Sequence, residues 1–238
     1  MKEPRLIKFQ RQKNEQFQDF IKKLELQAVE TAEERMPLYL KVGMKGAAMI
    51  LDVGCGSGIV TRDIAHMTTG LVNAIDESKD MILVAQKVLE QYSNVHLQVG
   101  QAENLPFDDN VFDVTTCNLL LMWAQHPAKV VKEMARVTKK GGKVLASLEP
   151  DYGGKLHYPE HTKVDRIFAG KAIRDKGGDP HIGRKLRCLF VQAGLRTEVG
   201  IGNNRIWSCK EDKSILSSCT GFLCECITAR RVDAEGNR

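Results

Sequence analysis

The chain has 238 residues, 42% of them apolar and 27% charged, with a formal net charge of +5. That length serves one hydrophobic core with a small appendage rather than two full domains, and the composition excludes a disordered chain. The longest apolar run, Leu119 to Ala124, is too short to span a bilayer, and the opening MKEPRLIKFQRQKNEQ has no apolar signal core, so a cytoplasmic protein without membrane insertion is expected. Seven cysteines, an odd number scattered through apparent core elements, point to reduced thiols.

The first forty-odd residues read as helix, with Phe17, Phe20, Ile21, Leu24 and Ala28 on one face. Thr31 followed by Glu34 has the form of a capping box opening a second helix. Ala47 to Val53 is short and largely apolar, as in a buried parallel strand, and runs into a glycine cluster. Strand and helix then alternate. A helix through Val60, Ile64 and Ala65 precedes a strand at Leu71 to Ile75, and Ser78 opens a helix with Met81, Ile82, Ala85, Val88 and Leu89 on one side. A third strand is expected at Val95 to Val99 and a fourth, after the turn residues Pro106, Asp108, Asp109 and Asn110, at Val111 to Cys117.

Pro127 starts a helix that buries Val130, Val131, Met134 and Ala135, with Lys139 and Lys140 in its last turn and Gly141 as its stop. A fifth strand follows at Lys143 to Leu148. Beyond a loop-rich segment, a helix around Ile182 to Ala193 and a β-pair, Arg196 to Ile201 with Arg205 to Cys209, finish the domain. The last thirty residues carry little periodic signal. Five βα units in this rhythm predict a doubly wound α/β fold, whose ligands bind at the carboxyl ends of the strands.

The strongest chemical signal is Ile50-Leu51-Asp52-Val53-Gly54-Cys55-Gly56-Ser57-Gly58 at the junction of strand one with its helix, where glycine lets the backbone turn sharply and approach a ligand. Asp76 ends strand two, twenty residues after Gly56, where an acid accepts both hydroxyls of a ribose; the plainer reading is a turn acid capping the next helix. A nicotinamide-binding enzyme wants G-x-G-x-x-G for its pyrophosphate, whereas this loop reads G-x-G-x-G.

The run LDVGCGSG, then AIDES, GQAENLPF at 100–107, FDVTTCNLLLMW at 112–123 and VTKKGGKVLASLEP at 137–150 resembles the successive motifs of class I S-adenosylmethionine (SAM)-dependent methyltransferases, particularly the ubiquinone/menaquinone biosynthesis-like, methyltransferase type 11 group. The resemblance covers roughly residues 45–205. It implies a Rossmann-like, mostly parallel seven-stranded sheet at 46–209, a helical lid at 1–45 that shapes the acceptor pocket, and a tail at 210–238. It further implies that Asp52, Gly54, Cys55 and Gly56 line the methionine part of SAM and that Asp76 holds the ribose. Ser78 and Met81 would flank the adenine, Gln101, Ala102 and Glu103 lie along its edge, and Asn118 and Leu119 sit beside the sulfonium. Gln101 departs from the acid common in this group, so an amide oxygen would meet adenine N6. The product would be S-adenosylhomocysteine (SAH), and no metal is implied.

Methyl transfer from a sulfonium is an in-line displacement whose main requirement is positioning, so a base is optional. Where the acceptor needs deprotonation, Tyr152 and His157, in the segment leaving strand five, are the candidates, although a lone loop Tyr or His is usually surface. Cys209, Cys219, Cys224 and Cys226 form no C-x-x-C pair and read as ordinary thiols rather than a metal or arsenite trap. Cys55 and Cys117 read as packing residues. Residues 166–205 hold nine Lys or Arg against three acids, which suits an anionic partner or a solvated basic face. A small organic acceptor is expected. The alternatives are a macromolecular acceptor, RNA or protein, without a recognisable nucleic-acid module, and a SAM-binding scaffold that transfers nothing. Ser217 to Arg238 lacks a packing pattern and suits a shortened relative of a longer chain.

Overall fold

The computed structural model describes residues 5–154, 170–201 and 223–231, with side chains over 15–154 and 170–200. Five strands, β1 (Met49–Val53), β2 (Leu71–Asp76), β3 (Val95–Val99), β4 (Phe112–Asn118) and β5 (Thr138–Pro150), are parallel in the order β3-β2-β1-β4-β5. β1 and β4 are buried along most of their length, while β3, at the edge, alternates into solvent. The strand order reverses between β1 and β4, which opens a crevice at their carboxyl ends.

Helices cover both faces. On one, α5 (Pro127–Val137) buries Val130, Val131, Met134, Ala135 and Val137 with Phe190 of α6 (Leu186–Gln192) against Phe112, Val144 and Ala146. On the other, α2 (Ala32–Lys41) and α3 (Ile59–Met67) bring Leu38, Tyr39, Ile64 and Ala65 onto Ile50, Val72, Val114 and Leu145. α4 (Lys79–Val88) opens as expected at Ser78, whose hydroxyl accepts the Met81 amide at 3.3 Å.

Two expectations are corrected, and a third is not reached. α1 (Arg5–Glu30) runs almost unbroken into α2, so Thr31 has no free helix start to cap; its hydroxyl donates to the Gln27 carbonyl at 2.6 Å, and the Thr31–Glu34 capping box does not form. α5 stops at Val137, before Lys139 and Gly141, because Thr138 enters β5 and its hydroxyl donates to the Met134 carbonyl at 2.6 Å. The strand β6 (Leu195–Ile201) pairs antiparallel with β7 (Leu223–Arg231), which also pairs with β5. The expected partner, Arg205 to Cys209, lies outside the described residues.

The Phe112 ring is fully buried and meets Phe107 edge-on, with centroids 5.0 Å apart. Phe112→Ala should cost about 3–5 kcal/mol, because the cavity adds to the lost transfer energy. Urea unfolding measures this; a loss below 1 kcal/mol would mean the site collapses around the smaller side chain.

Candidate cofactor site at the carboxyl ends of the strands

Past β1 the chain reverses over the end of β2. The Gly54 and Cys55 amides both donate to the Ile75 carbonyl, at 2.8 and 3.0 Å. Gly54 and Gly58 have φ of +74° and +82°, and a Cβ on either would meet a neighbour: Leu120 Cδ1 at 2.6 Å from Gly54, Ala85 Cβ at 2.9 Å from Gly58. Gly56, at +52°, faces open space, with nothing within 4 Å of where its Cβ would stand. Two glycines thus allow packing and the middle one leaves a cradle.

Asp76 closes this loop onto the next. One carboxylate oxygen accepts the Gly56 amide and the other the Ser78 amide, each at 2.9 Å. Each oxygen keeps a lone pair for another donor. Beside it a cavity of about 410 Å³ is lined by Glu77, Ser78, Val99, Gly100 and Gln101. Ala102 and Glu103 follow on the same segment, and Glu103 accepts the His126 amide at 3.1 Å. The open cradle, the free lone pairs and this polar-rimmed cavity fit a nucleoside without phosphates and with a polar tail.

Two expected contacts turn away from the open side. Cys55 is buried with Ala74 and Ile82, and burial, with Asp52 and Asp76 nearby, pushes its thiol pKa well up. Asp52 is 2% exposed and accepts the Thr61 hydroxyl at 2.7 Å. Burial drives its pKa up to about 6 against the Thr61 hydrogen bond. Met81 is buried, too, whereas Asn118 and Leu119 are partly open at the end of β4.

Behind Asp52 lies a network not anticipated from the sequence. Arg35, 1% exposed, donates to the Thr31 hydroxyl at 2.6 Å, the Ala28 carbonyl at 2.7 Å and Asp63 of α3 at 2.8 Å. It pins α1 and α2 to the helix that the glycine loop opens. The available signal was its register: Ala28, Thr31, Arg35, Leu38 and Val42 share one face, where an Arg must find partners or stay out of the core. A second such anchor is Arg136, which donates to the Leu105 and Phe107 carbonyls at 3.0 and 2.8 Å and pairs with Glu133, thereby fixing the segment after β3. The Arg136 hydrogen bond outweighs burial and holds the Glu133 pKa down.

On the β5 side, Asp151 takes Arg184 through both oxygens, at 2.7 and 2.8 Å, and the Gly153 amide at 3.1 Å. Burial raises its pKa, but Arg184 prevails and holds it below the ordinary value. Tyr152 is half-buried on the core, burial pushes its phenol pKa up, and its amide donates to the Pro180 carbonyl at 2.9 Å. His157 lies outside the described residues.

A strand order reversing at β1/β4, a glycine turn after β1 and an acid after β2 define a nucleoside-binding α/β protein. Residues 51–146 match the family described as Methyltransferase domain. The chain is 41% identical over 167 residues to a demethylmenaquinone methyltransferase of Bacillus licheniformis, covering 64% of this chain and 72% of that protein. It is 31% identical over 170 residues to an uncharacterized methyltransferase of Schizosaccharomyces pombe, covering 67% of this chain and 61% of that one, so it spans about three fifths of that relative's length. A solved candidate methyltransferase of Bacillus halodurans superposes with a TM-score of 0.56 at 27% identity, over 69% of this chain and 70% of that chain. The [4+2]-cyclase SpnF superposes with 0.62 at 18% identity, over 84% and 82%, and shows the fold alone. The chain belongs to the class I SAM-dependent methyltransferases, and SAM is the family's cofactor. The nicotinamide alternative is thereby set aside.

Asp52 binds its proton more tightly folded than unfolded, so its contribution to stability is fully present below about pH 4 and is lost as pH rises through about 6. Asp52→Asn keeps an oxygen for Thr61 and removes the charge. It should therefore abolish about 3 kcal/mol of the fall in stability between pH 4 and 7, read as the difference between the two proteins' urea curves. Parallel curves across that window would mean the carboxylate is ionised throughout.

Proposed function

We propose that this chain transfers the methyl group of SAM to a small organic acceptor held at the carboxyl ends of β4 and β5. The observation that carries the reading is Asp76, which ties the Gly56 and Ser78 amides together at the edge of the 410 Å³ cavity and keeps lone pairs for two hydroxyls. When bound, SAM supplies an activated methyl on a sulfonium. The protein's part is to hold and align.

In this reading the methionine part lies along Gly54 and Gly56, with Asp52 and Cys55 shaping the loop from beneath through their buried side chains. Asp76 takes the ribose, Ser78 and Met81 border the adenine, and Gln101, Ala102 and Glu103 follow its edge. Asn118 and Leu119 stand beside the sulfonium. Residues 1–45 act as the lid, supported by the Arg35 anchor to α3. Residues 46–209 with β7 from the tail complete a seven-stranded sheet. Tyr152 serves better as a hydrogen-bond donor than as a base, because burial makes its proton harder to remove; His157 remains the base candidate. A cytoplasmic location suits the free thiols of Cys55 and Cys188.

A small acceptor is supported by relatives named as demethylmenaquinone methyltransferases and by a malonyl-[acyl-carrier protein] O-methyltransferase of Buchnera aphidicola, 38% identical over 98 residues. The basic stretch favours a macromolecule less than its charge count suggests, since Lys171, Lys185 and Arg184 pair with Asp175, Asp179 and Asp151.

Asp76→Ala should weaken SAH binding by about 1.5–3 kcal/mol for each charge-assisted hydrogen bond lost. Calorimetric titration reads this, with NAD as a ligand that should not bind. Unchanged affinity would remove the ribose assignment. In a transfer assay with labelled SAM, label in quinol or other small acceptors supports the proposal. Label only in RNA or protein would move it to a macromolecular acceptor, and SAH binding without any transfer would leave a scaffold.

A further inference from the structure

The end of β5 grips the segment after β4 at consecutive points. Leu119 donates its amide to the Ser147 carbonyl at 3.2 Å, and the Ser147 hydroxyl donates to Asn118 Oδ1 at 2.9 Å. Two residues on, Glu149 takes three successive amides: Leu120 and Leu121 on Oε1 at 2.8 and 2.9 Å, and Met122 on Oε2 at 3.1 Å. Glu149 is fully buried, so none of this is a surface accident; a carboxyl group is carried into the core, where burial is costly, and is satisfied by main-chain donors alone. The residues immediately before the two halves of the clamp, Leu119 and Leu148, hold φ of +54° and +60° without being glycine or asparagine. Backbone in that region costs about 1–3 kcal/mol per residue and persists where the surroundings over-determine it, most often at functional sites.

The clamp has a consequence at the cofactor loop. Leu120, whose amide Glu149 holds, lays its side chain over Gly54: Cδ1, Cδ2 and Cγ stand 2.6, 3.2 and 3.2 Å from where a Cβ on Gly54 would be. Leu120 is only partly buried, so part of its side chain stays open beside the glycine turn, at the carboxyl ends of β1 and β4. We propose that Glu149 is a positioning residue that fixes Leu120 as the wall between the methionine end of the cofactor site and the acceptor space. The role is distinct from that of a base, since both oxygens of Glu149 are committed to amides. The inference rests on the cofactor placement proposed above.

A double-mutant cycle on SAH affinity tests it, with Glu149→Ala, Leu120→Ala and the double variant titrated calorimetrically and their folding checked by urea unfolding. Each single variant should bind SAH about tenfold more weakly, and the double variant should bind no more weakly than Leu120→Ala, because Glu149 acts through Leu120. Glu149→Gln, which keeps the oxygen facing Leu120 and Leu121 and sets an amide N–H₂ against Met122, should recover part of the affinity; if Glu149→Ala does not fold, it takes that variant's place in the cycle. Unchanged or tighter binding in Leu120→Ala, or losses that add in the double variant, would overturn the proposal. A wild-type protein that fails to bind SAH would overturn the cofactor placement instead, so the two failures are separable.

Discussion

The ligand end of the sheet depends on a carboxylate that bridges two turns. The loop after β1 and the loop after β2 leave adjacent parallel strands, and nothing in parallel pairing itself joins them beyond the last ladder bond. Asp76 supplies the link by accepting Gly56 from one and Ser78 from the other. The Ile75 carbonyl, one residue earlier, takes Gly54 and Cys55. Four amides of two loops thus converge on two consecutive residues of β2, which gives the glycine turn a fixed shape before any ligand arrives. Fixed donors and acceptors are what binding needs, because ordering them afterwards would consume affinity.

The frame behind that turn is held by buried polar groups as well as by hydrophobic contact. Arg35 ties α1 and α2 to α3, Asp52 ties β1 to α3 through Thr61, and Glu149 ties β5 to the loop after β4. Each buries a charge or potential charge, and for Asp52 and Glu149 burial moves the pKa up, to about 6 and about 7. Both therefore favour the folded state most when protonated and oppose it as pH rises through those values. Asp151, Glu133 and Asp113 run the other way: each has its pKa held down, and each loses its contribution as pH falls. Together these groups contribute most between the two titration windows, at about pH 4–5, and less at neutral pH, where Asp52 and Glu149 are ionising.

The sequence was most readable where main-chain geometry decides the outcome. Alternating strand and helix signals located all five parallel strands, and for the central β1 and β4 the apolar character follows from burial on both faces. G-x-G-x-G was readable because positive φ and close approach allow few other residues. Helix ends were less readable. Lys139, Lys140 and Gly141 have the composition of a helix terminus, yet Thr138 is already in β5, where pairing with Phe112 outweighs a C-cap preference. The Thr31–Glu34 pattern failed for a similar reason, since a capping box has meaning only where a helix starts. Arg35, Arg136 and Glu149 were missed because their roles depend on partners 28 to 31 residues away, which no local pattern contains.

That contrast explains why this chain announces its cofactor and conceals its acceptor. The cofactor side is built from backbone amides, glycines and one acid at fixed offsets from strand ends, so its chemistry is written in short motifs. In the reading proposed above, the acceptor space lies where β4, β5 and the segment near Asp179 meet. Met122 takes the Asp179 amide, Pro180 takes the Tyr152 amide, and Arg184 reaches Asp151. Each of these contacts joins parts of the chain far apart in sequence. Changing the side chains there would alter the pocket without touching the sheet or the glycine turn. The fold can therefore keep SAM while exchanging acceptors, and function on this side has to be argued from the site rather than from the family.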